Sequence, residues 1–214
     1  MLDLNLPTLI SRVVVLIVAF TIHEFSHAWI ADKFGDNTPR DAGRLTLNPL
    51  AHLDPLGSLV LLLAGFGWAK PVPVNPYNFK KNSQLGMMLV SIAGPMSNFI
   101  MAAIAGLLLR FDVVQHTAQS SNIFPTPYAL VNDFILINLV LMLFNLIPIS
   151  PLDGEKVAQF FAPPTVANFY ERIRPYGPFV LLALFLITPR LNFDVFSWVL
   201  NPALPNIWRL VTGG

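Results

Sequence analysis

The sequence predicts an all-α polytopic membrane protein, and three observations support this fold class. Hydrophobic residues make up 54% of the 214 positions and charged residues only 12%, against roughly 25% charged residues in an ordinary soluble domain. Several apolar segments approach the roughly 20 residues that a membrane-spanning helix requires. The third observation is HEFSH at positions 23–27, because it follows the apolar run RVVVLIVAFTI without a break.

Composition also limits the sites and partners that the chain can have. It contains no cysteine, which excludes disulfides and thiolate metal ligands. The formal net charge of +1 does not indicate nucleic-acid binding, so we expect a lipid bilayer and no nucleic acid as surroundings. The opening MLDLNLP has no basic region typical of a signal peptide, so we expect the first apolar segment to be retained.

The first predicted span runs from about Pro7 to Ala31, and a polar segment rich in turn-forming residues follows at 32–56. GSLVLLLAGFG, at 57–67, is too short to span the bilayer as a helix and is typical of a buried strand or a re-entrant piece. KPVPVNPYNFKKN, at 70–82, is broken by prolines and predicts a loop.

Two further convincing spans are predicted, at Gln84 to Phe111 and from Tyr128 to about Ile149. Residues 155–175 are typical of a peripheral, amphipathic segment. The stretch from 176 to 200 is predicted as one more span, interrupted at TPRLNFD. The final NPALPNIWRLVTGG is predicted to lie at the membrane interface, with Trp208 as an anchor.

The distribution of basic residues predicts the orientation. The long connection after the first span and the one after the third contain the basic residues, whereas 112–127 contain no lysine or arginine. The positive-inside rule then places the amino terminus outside. HEFSH and PLDG fall at the cytoplasmic ends of their spans, at one depth. The basic residues are Lys33, Arg40, Arg44, Lys70, Lys80, Lys81, Lys156, Arg172 and Arg174.

HEFSH has the spacing of a zinc site. His23 and His27 are four residues apart and project from one face of a helix. In the H-E-x-x-H pattern two imidazoles hold zinc, and the glutamate between them, here Glu24, is the general base that acts on a bound water. A chance pattern on a solvated helix is the alternative. Ionisable groups inside an apolar helix are costly unless they have a partner or a cavity, which favours the metal site.

A catalytic zinc site usually has three protein ligands, and Asp153 is the best candidate for the third. It lies at the matching depth, after prolines that loosen the backbone and beside Gly154. The alternative for Asp153 is a helix cap or a loop carboxylate. His52 and Asp54 are weaker candidates, for which a structural hydrogen-bonded role is favoured. His116 is discounted because its loop is assigned to the outside.

Polar and small residues inside the spans form a further group. Interhelical hydrogen bonding is the default interpretation of Asn98, Asn138 and Asn145, and contact with substrate is the alternative. The small residues of the second span indicate close helix packing; they are Gly94, Ser97 and Ala102.

The combination of HEFSH, AGPMSN and NLIPISPLDG, in that order, resembles the site-2 protease family of intramembrane zinc metalloproteases. GRLTLNPLAHLDPLG further resembles the short members of that family, which lack a PDZ domain. The resemblance covers about residues 20–155. The five-residue motif is weak alone, but with a late PLDG in a polytopic chain it is specific.

The resemblance implies a three-helix catalytic core at about 7–155, peripheral helices at about 156–214, and one integral-membrane domain over 1–214. It implies one Zn²⁺ held by His23, His27 and Asp153, with Glu24 as the base. Membrane-embedded extended or re-entrant structure is implied around 57–75. Asn145 and Asn98 are candidates for substrate contact or oxyanion support.

The expected activity is hydrolysis of peptide bonds in or near the transmembrane segments of membrane-protein substrates. The alternative is a metal-binding membrane protein that cleaves nothing, either a transporter or an inactive scaffold; no internal repeat of the kind seen in transporters is evident. A purely structural membrane subunit is a third alternative, and it leaves the aligned histidines and acids unexplained.

Overall fold

A computed structural model describes residues 5–55, 57, 68–80, 82–115, 123–188 and 195–214. Three of its helices are long and apolar enough to cross a membrane, and each packs against the other two. The all-α polytopic fold is thereby confirmed. The helices described from end to end are α1 (Leu6–Lys33), α2 (Thr38–Asp41), α3 (Ser83–Arg110), α4 (Pro127–Asn145), α5 (Asp153–Phe161), α6 (Pro164–Ile173), α7 (Gly177–Ile187) and α8 (Val195–Thr212).

The first span begins and ends at local signals in the sequence. The Asn5 side chain accepts a hydrogen bond from the Thr8 N–H at 2.9 Å, and Pro7 lies in the first turn, where its missing N–H costs nothing. The helix ends before Gly35, which has φ +98°, a conformation that glycine adopts without steric cost. The predicted span from Pro7 to Ala31 therefore falls inside α1.

The core between the spans is apolar and close-packed. Small residues on α3 pack against branched residues on α4 and against the end of α8. The sequence prediction of close helix packing is confirmed for Ala102, which is fully buried in this cluster. The buried members of the cluster are Ala102, Ala105, Ile135, Leu139, Met142 and Val211.

The carboxyl-terminal part differs from the prediction of one interrupted span from 176 to 200 followed by an interfacial stretch. Helix α7 ends at Ile187, and α8 continues from Val195 to Thr212 through Pro202 and Pro205; residues 189–194 lie outside the described part of the chain. Helix α8 packs along α3 and α4, and Trp208 contacts their apolar core. Although a proline inside a helix removes a backbone hydrogen bond, this segment is helical and packs against the spans.

Two amphipathic helices connect the third span to α7, as predicted for residues 155–175. The first of them, α5, begins at Asp153 and approaches the chain that leaves α4 very closely. A Cβ on Gly154 would lie 2.3 Å from the Leu146 carbonyl oxygen, so only glycine permits this approach. The close contact brings the start of α5 against the spans.

The connection between α1 and α3 is held together by two buried charged residues. The Asp36 carboxylate accepts hydrogen bonds from the N–H of Asn75 at 2.7 Å and the Asn78 amide at 2.8 Å. The Arg44 guanidinium donates to the carbonyls of Ala51, Lys70 and Pro71. These bonds fasten the early half of the connection to its late half.

The extended structure expected around 57–75 falls largely on residues 58–67, which lie outside the described part of the chain. The described neighbours include one isolated antiparallel bridge, between Leu53 and Ala69. The Lys70 N–H also donates to the His52 carbonyl at 2.8 Å. The prediction of a β or re-entrant element here therefore stays a prediction.

Candidate metal centre

The two histidines of HEFSH face each other on the inner side of α1. Their spacing of four residues places them one turn apart on one helix face, and their ring centroids are 4.7 Å apart with the planes at 83°. His23 is 5% exposed and His27 is 8% exposed. Both rings are therefore turned into the bundle, away from lipid.

The carboxylate of Asp153 lies against both rings. Its Oδ2 atom is 3.2 Å from Nε2 of His23 and 3.4 Å from Nε2 of His27. Asp153 occupies the first turn of α5, whose N-cap, Leu152, makes no side-chain capping bond. The carboxylate thus faces the histidines, and the alternative of a helix cap is not what the structure shows.

These three side chains fit the requirements of a zinc ion. Each offers one ligand atom, and the three atoms lie within 4.8 Å of one another. Tetrahedral zinc with bonds of about 2.0–2.2 Å separates its ligand atoms by about 3.3–3.6 Å, close to the 3.2 and 3.4 Å observed here. Two neutral nitrogen donors and one carboxylate oxygen form a donor set typical of catalytic zinc.

Gly94 of α3 lies directly against the two ligand nitrogens. A Cβ at this position would lie 2.4 Å from Nε2 of His27 and 2.5 Å from Nε2 of His23. Both separations are far below van der Waals contact, so a side chain at this position would displace the two rings. Only glycine lets α3 lie this close to both ligand nitrogens.

The second nitrogen of each ring is hydrogen-bonded to α3. Nδ1 of His27 lies 2.7 Å from the carbonyl oxygen of Val90, and Nδ1 of His23 lies 2.6 Å from Oδ1 of Asn98. Both partners accept a hydrogen bond, so each Nδ1 donates and each Nε2 keeps its lone pair toward Asp153. The rings are thus oriented for a metal between them.

Glu24 follows His23 on α1 and is 9% exposed. Its carboxylate forms no ion pair with another described residue, in contrast to Asp32 and Glu155, which each pair with a basic side chain. Glu24 is thus a buried acid one residue along α1 from a metal-binding histidine.

The three asparagines of the spans have different partners. The Asn98 amide donates to Oδ1 of Asn138 at 2.8 Å, between α3 and α4, which confirms interhelical hydrogen bonding for this pair. Asn145 instead donates to the Leu141 carbonyl of its own helix at 3.0 Å. Its expected contact with substrate stays a prediction, as does that of Asn98, whose side chain is fully buried.

The weaker candidates have structural partners or lie elsewhere. Nε2 of His52 bonds the Thr46 carbonyl at 2.8 Å, and the Asp54 carboxylate accepts the Gly57 N–H at 2.7 Å. These contacts agree with the structural role that the sequence favoured. His116 lies outside the described residues.

Sequence reasoning did not identify two contributors to the site. Gly94 was predicted to allow close helix packing, which is confirmed, but the sequence did not show that α3 approaches the two ligand nitrogens at this residue. The backbone carbonyl of Val90, which orients His27, has no signature in a sequence at all. The position of Gly94 in the triplet AGP, at 93–95, was the one feature of the sequence that marked this residue.

Comparisons with known proteins agree with this geometry. The model of Peptidase family M50 matches residues 11–187. YwhC of Bacillus subtilis (strain 168) is 47% identical over 195 residues, which cover 90% of this chain and 84% of YwhC. Rip2 of Mycolicibacterium smegmatis (strain ATCC 700084 / mc(2)155) is 28% identical over 207 residues, 92% of this chain and 76% of Rip2. Both relatives are provisionally named zinc metalloproteases.

A more distant relative, MJ0392 of Methanocaldococcus jannaschii, is named a zinc metalloprotease and is 25% identical over 144 residues, 67% of this chain and 32% of MJ0392. No solved structure shows a significant match. The family match spans most of the chain and includes all three residues that face one another at the site. The chain therefore belongs to peptidase family M50, the site-2 protease family, and is a zinc metalloprotease.

Proposed function

We propose that the protein hydrolyses peptide bonds within or beside the transmembrane helices of membrane-protein substrates, near the cytoplasmic face. The observation that supports this most strongly is the convergence of His23, His27 and Asp153 inside a bundle of apolar helices. These residues come from two segments more than a hundred positions apart. A site that lies among membrane-spanning helices suits a substrate whose peptide bond itself lies in the membrane.

The two histidines and Asp153 would hold the ion, with Nε2 of each ring and Oδ2 of the carboxylate as the ligand atoms. When bound, zinc supplies Lewis acidity and lowers the pKa of its water toward about 7. The protein contributes the orientation of the rings and a site from which lipid and most water are excluded. Three protein ligands leave a position open for water and substrate.

Glu24 acts as the general base and then as the general acid. Its carboxylate takes a proton from the attacking water and delivers it to the nitrogen of the leaving amine, so that the protons balance over one turnover. The position one residue after His23 on α1, and its burial beside the site, support this assignment. A positioned base of this kind contributes about 10²–10⁴-fold in rate.

A substrate helix has to unwind locally before it can be cleaved, because its backbone is internally hydrogen-bonded. An extended edge near residues 57–75 would hold the unwound strand by adding it as a further β-strand. The isolated bridge between Leu53 and Ala69 supports the presence of extended backbone at this place. Asn145, at the end of α4, is the candidate for contact with substrate or for oxyanion support.

The whole chain would form one integral-membrane domain in a cell membrane, with the amino terminus outside. The support for this orientation is the concentration of basic residues in the connections after α1 and after α4, compared with none in 112–127. The site lies toward the ends of these helices that lead into the basic connections. A cytoplasmic-side location for cleavage follows.

The test is a Glu24→Gln variant, assayed in proteoliposomes with a model substrate that has one transmembrane helix. We expect the variant to retain zinc and to lose cleavage by about 10²–10⁴-fold, since the amide cannot take up a proton. Glu171→Gln is the matched control, because Glu171 is exposed on α6 and should leave cleavage unchanged. Chelation of the metal should also abolish cleavage by the wild-type protein.

Two results would contradict the proposal. A fully active Glu24→Gln variant would remove Glu24 as the base. Wild-type protein that binds zinc yet cleaves no transmembrane substrate, or that moves metal into liposomes instead, would favour the non-proteolytic alternative.

A further inference from the structure

A chain of hydrogen bonds between buried side chains runs across the three spans and ends at His23. Asn138 of α4 donates from Nδ2 to the Phe134 carbonyl at 2.8 Å, and its Oδ1 accepts from Nδ2 of Asn98 at 2.8 Å. Oδ1 of Asn98 lies 2.6 Å from Nδ1 of His23. Asn98 and Asn138 are both fully buried, so water cannot replace either partner.

The direction of every bond in this chain follows from its first acceptor. The Phe134 carbonyl can only accept, so the NH₂ group of Asn138 must point toward it. Its oxygen then points at Asn98, which must present its own NH₂ there and its oxygen to His23. The ring consequently donates from Nδ1, and the lone pair lies on Nε2.

We propose that Asn98 and Asn138 form a positioning relay, which fixes the ring orientation and the tautomer of His23 so that Nε2 is presented to the metal. Asn98 is the residue that contacts the ring, and Asn138 keeps its amide from turning over. The inference rests on the zinc site of the proposed function but not on cleavage. It assigns to Asn98 a role through His23, instead of contact with substrate or an oxyanion.

The relay matters because, among the described residues, Asn98 is the hydrogen-bond partner of Nδ1 of His23. If Asn98 turned its amide over, its NH₂ group would face Nδ1, and the tautomer with the proton on Nε2 would be favoured. That tautomer has no lone pair for zinc. An asparagine held by a second asparagine, which is itself held by a backbone carbonyl, prevents this reversal.

The two metal-binding histidines thus receive different support. His27 donates directly to the Val90 carbonyl at 2.7 Å, and no side-chain substitution can remove that acceptor. His23 depends on a side chain, and its support can therefore be removed by mutation. The difference allows the relay to be tested on one ligand while the other stays oriented.

The test measures zinc affinity in detergent by competition with a chromophoric chelator, for Asn98→Leu and Asn98→Asp. Loss of an outer-shell partner typically lowers metal affinity about 10- to 100-fold, and we expect this for Asn98→Leu, which keeps the shape but not the acceptor. Asn98→Asp retains an acceptor for Nδ1 and should bind zinc much more tightly than Asn98→Leu. Asn206→Leu is the matched control, since Asn206, like Asn138, donates to the carbonyl four residues before it but lies exposed on α8.

Thermal unfolding of the zinc-free variants separates positioning from a purely structural role. A structural role predicts a lower melting temperature for Asn98→Leu with an unchanged zinc affinity of the folded protein, and that result would overturn the proposal. Equal loss of affinity in Asn98→Leu and Asn98→Asp would also overturn it.

If Asn98→Leu does not fold, Asn138→Leu replaces it in the test. We expect this variant to lose zinc affinity several-fold, and a variant with wild-type zinc affinity would refute the relay. The wild type could also bind zinc but cleave nothing. If the variants then still lose zinc affinity, the relay stands and only the protease assignment is contradicted.

Discussion

Two buried polar regions of the protein differ in whether protein groups supply the partners of their polar side chains. In the connection between α1 and α3, Asp36 and Arg44 are 0% and 4% exposed, and both are surrounded by protein hydrogen-bonding partners. Among the spans, His23, His27 and Asp153 instead turn two nitrogens and one oxygen toward one another. The charges of Asp36 and Arg44 in the first region are paired with protein groups, whereas the second region has an arrangement that calls for a cation.

The difference shows how the same residue types serve structure in one place and chemistry in another. Burial alone would raise the pKa of the Asp36 carboxyl, but hydrogen bonds from Thr38, Asn75 and Asn78 outweigh it and lower this pKa below its ordinary value. Its charge is stabilised by fixed donors. Asp153 has imidazole nitrogens as neighbours, and these can share an ion with it.

The largest effect is expected from Gly94→Ala, which should push apart the two ligand rings of the second region. Its methyl group would overlap the Nε2 atoms of both His23 and His27, so we expect zinc affinity to fall by more than the about 10- to 100-fold that loss of an outer-shell partner costs. Alanine is favoured over glycine inside helices by about 0.5–1 kcal/mol, so helix α3 itself is not weakened. Chelator competition in detergent measures the loss.

Gly106→Ala on the same helix is the control for Gly94→Ala. A Cβ there would lie 2.5 Å from the Val211 carbonyl oxygen of α8, so this variant should lose stability and keep its zinc affinity. The interpretation of Gly94 as a metal-site residue would be wrong if Gly94→Ala bound zinc as the wild type does.

A smaller effect, of the opposite kind, is expected from Asp36→Ala in the first region. It leaves the Asn75 N–H, the Asn78 amide and the donors of Thr38 without their acceptor. An unpaired buried donor costs about 1–3 kcal/mol, so the free energy of unfolding of the zinc-free protein in detergent should fall by at least that amount. Zinc affinity of the folded variant should be unchanged; a large loss of zinc binding would show that the two regions are coupled.

The local chemistry of the fold could be predicted from the sequence, but long-range packing could not. Spans α1 and α3 agree with prediction to within a few residues because apolar length alone defines them. Helix α8 falls within the predicted peripheral helices, but its continuation through Pro202 and Pro205 and its packing against α3 and α4 were not predicted. The bounds of α4 were predicted too long, since its last turn is replaced by the chain leading to Asp153.

The site was predictable to the extent that spacing determines it. A spacing of four residues on one helix places His23 and His27 together. The predicted depth of PLDG, which matches that of HEFSH, pointed to Asp153. The partner of Asn98 depends on how α1, α3 and α4 are rotated about their axes, which one sequence does not reveal. Gly94 and the Val90 carbonyl contribute by the absence of a side chain and by backbone, and neither has a chemical signature.

The most direct test of the zinc centre is the metal content of the purified protein beside its His23→Ala and Asp153→Ala variants, measured by elemental analysis after gel filtration in detergent. Convergence of the three side chains predicts about one zinc per wild-type chain, and little or none in either folded variant. An Asp153→Ala variant that still holds one zinc per chain as tightly as the wild type would contradict the three-residue site.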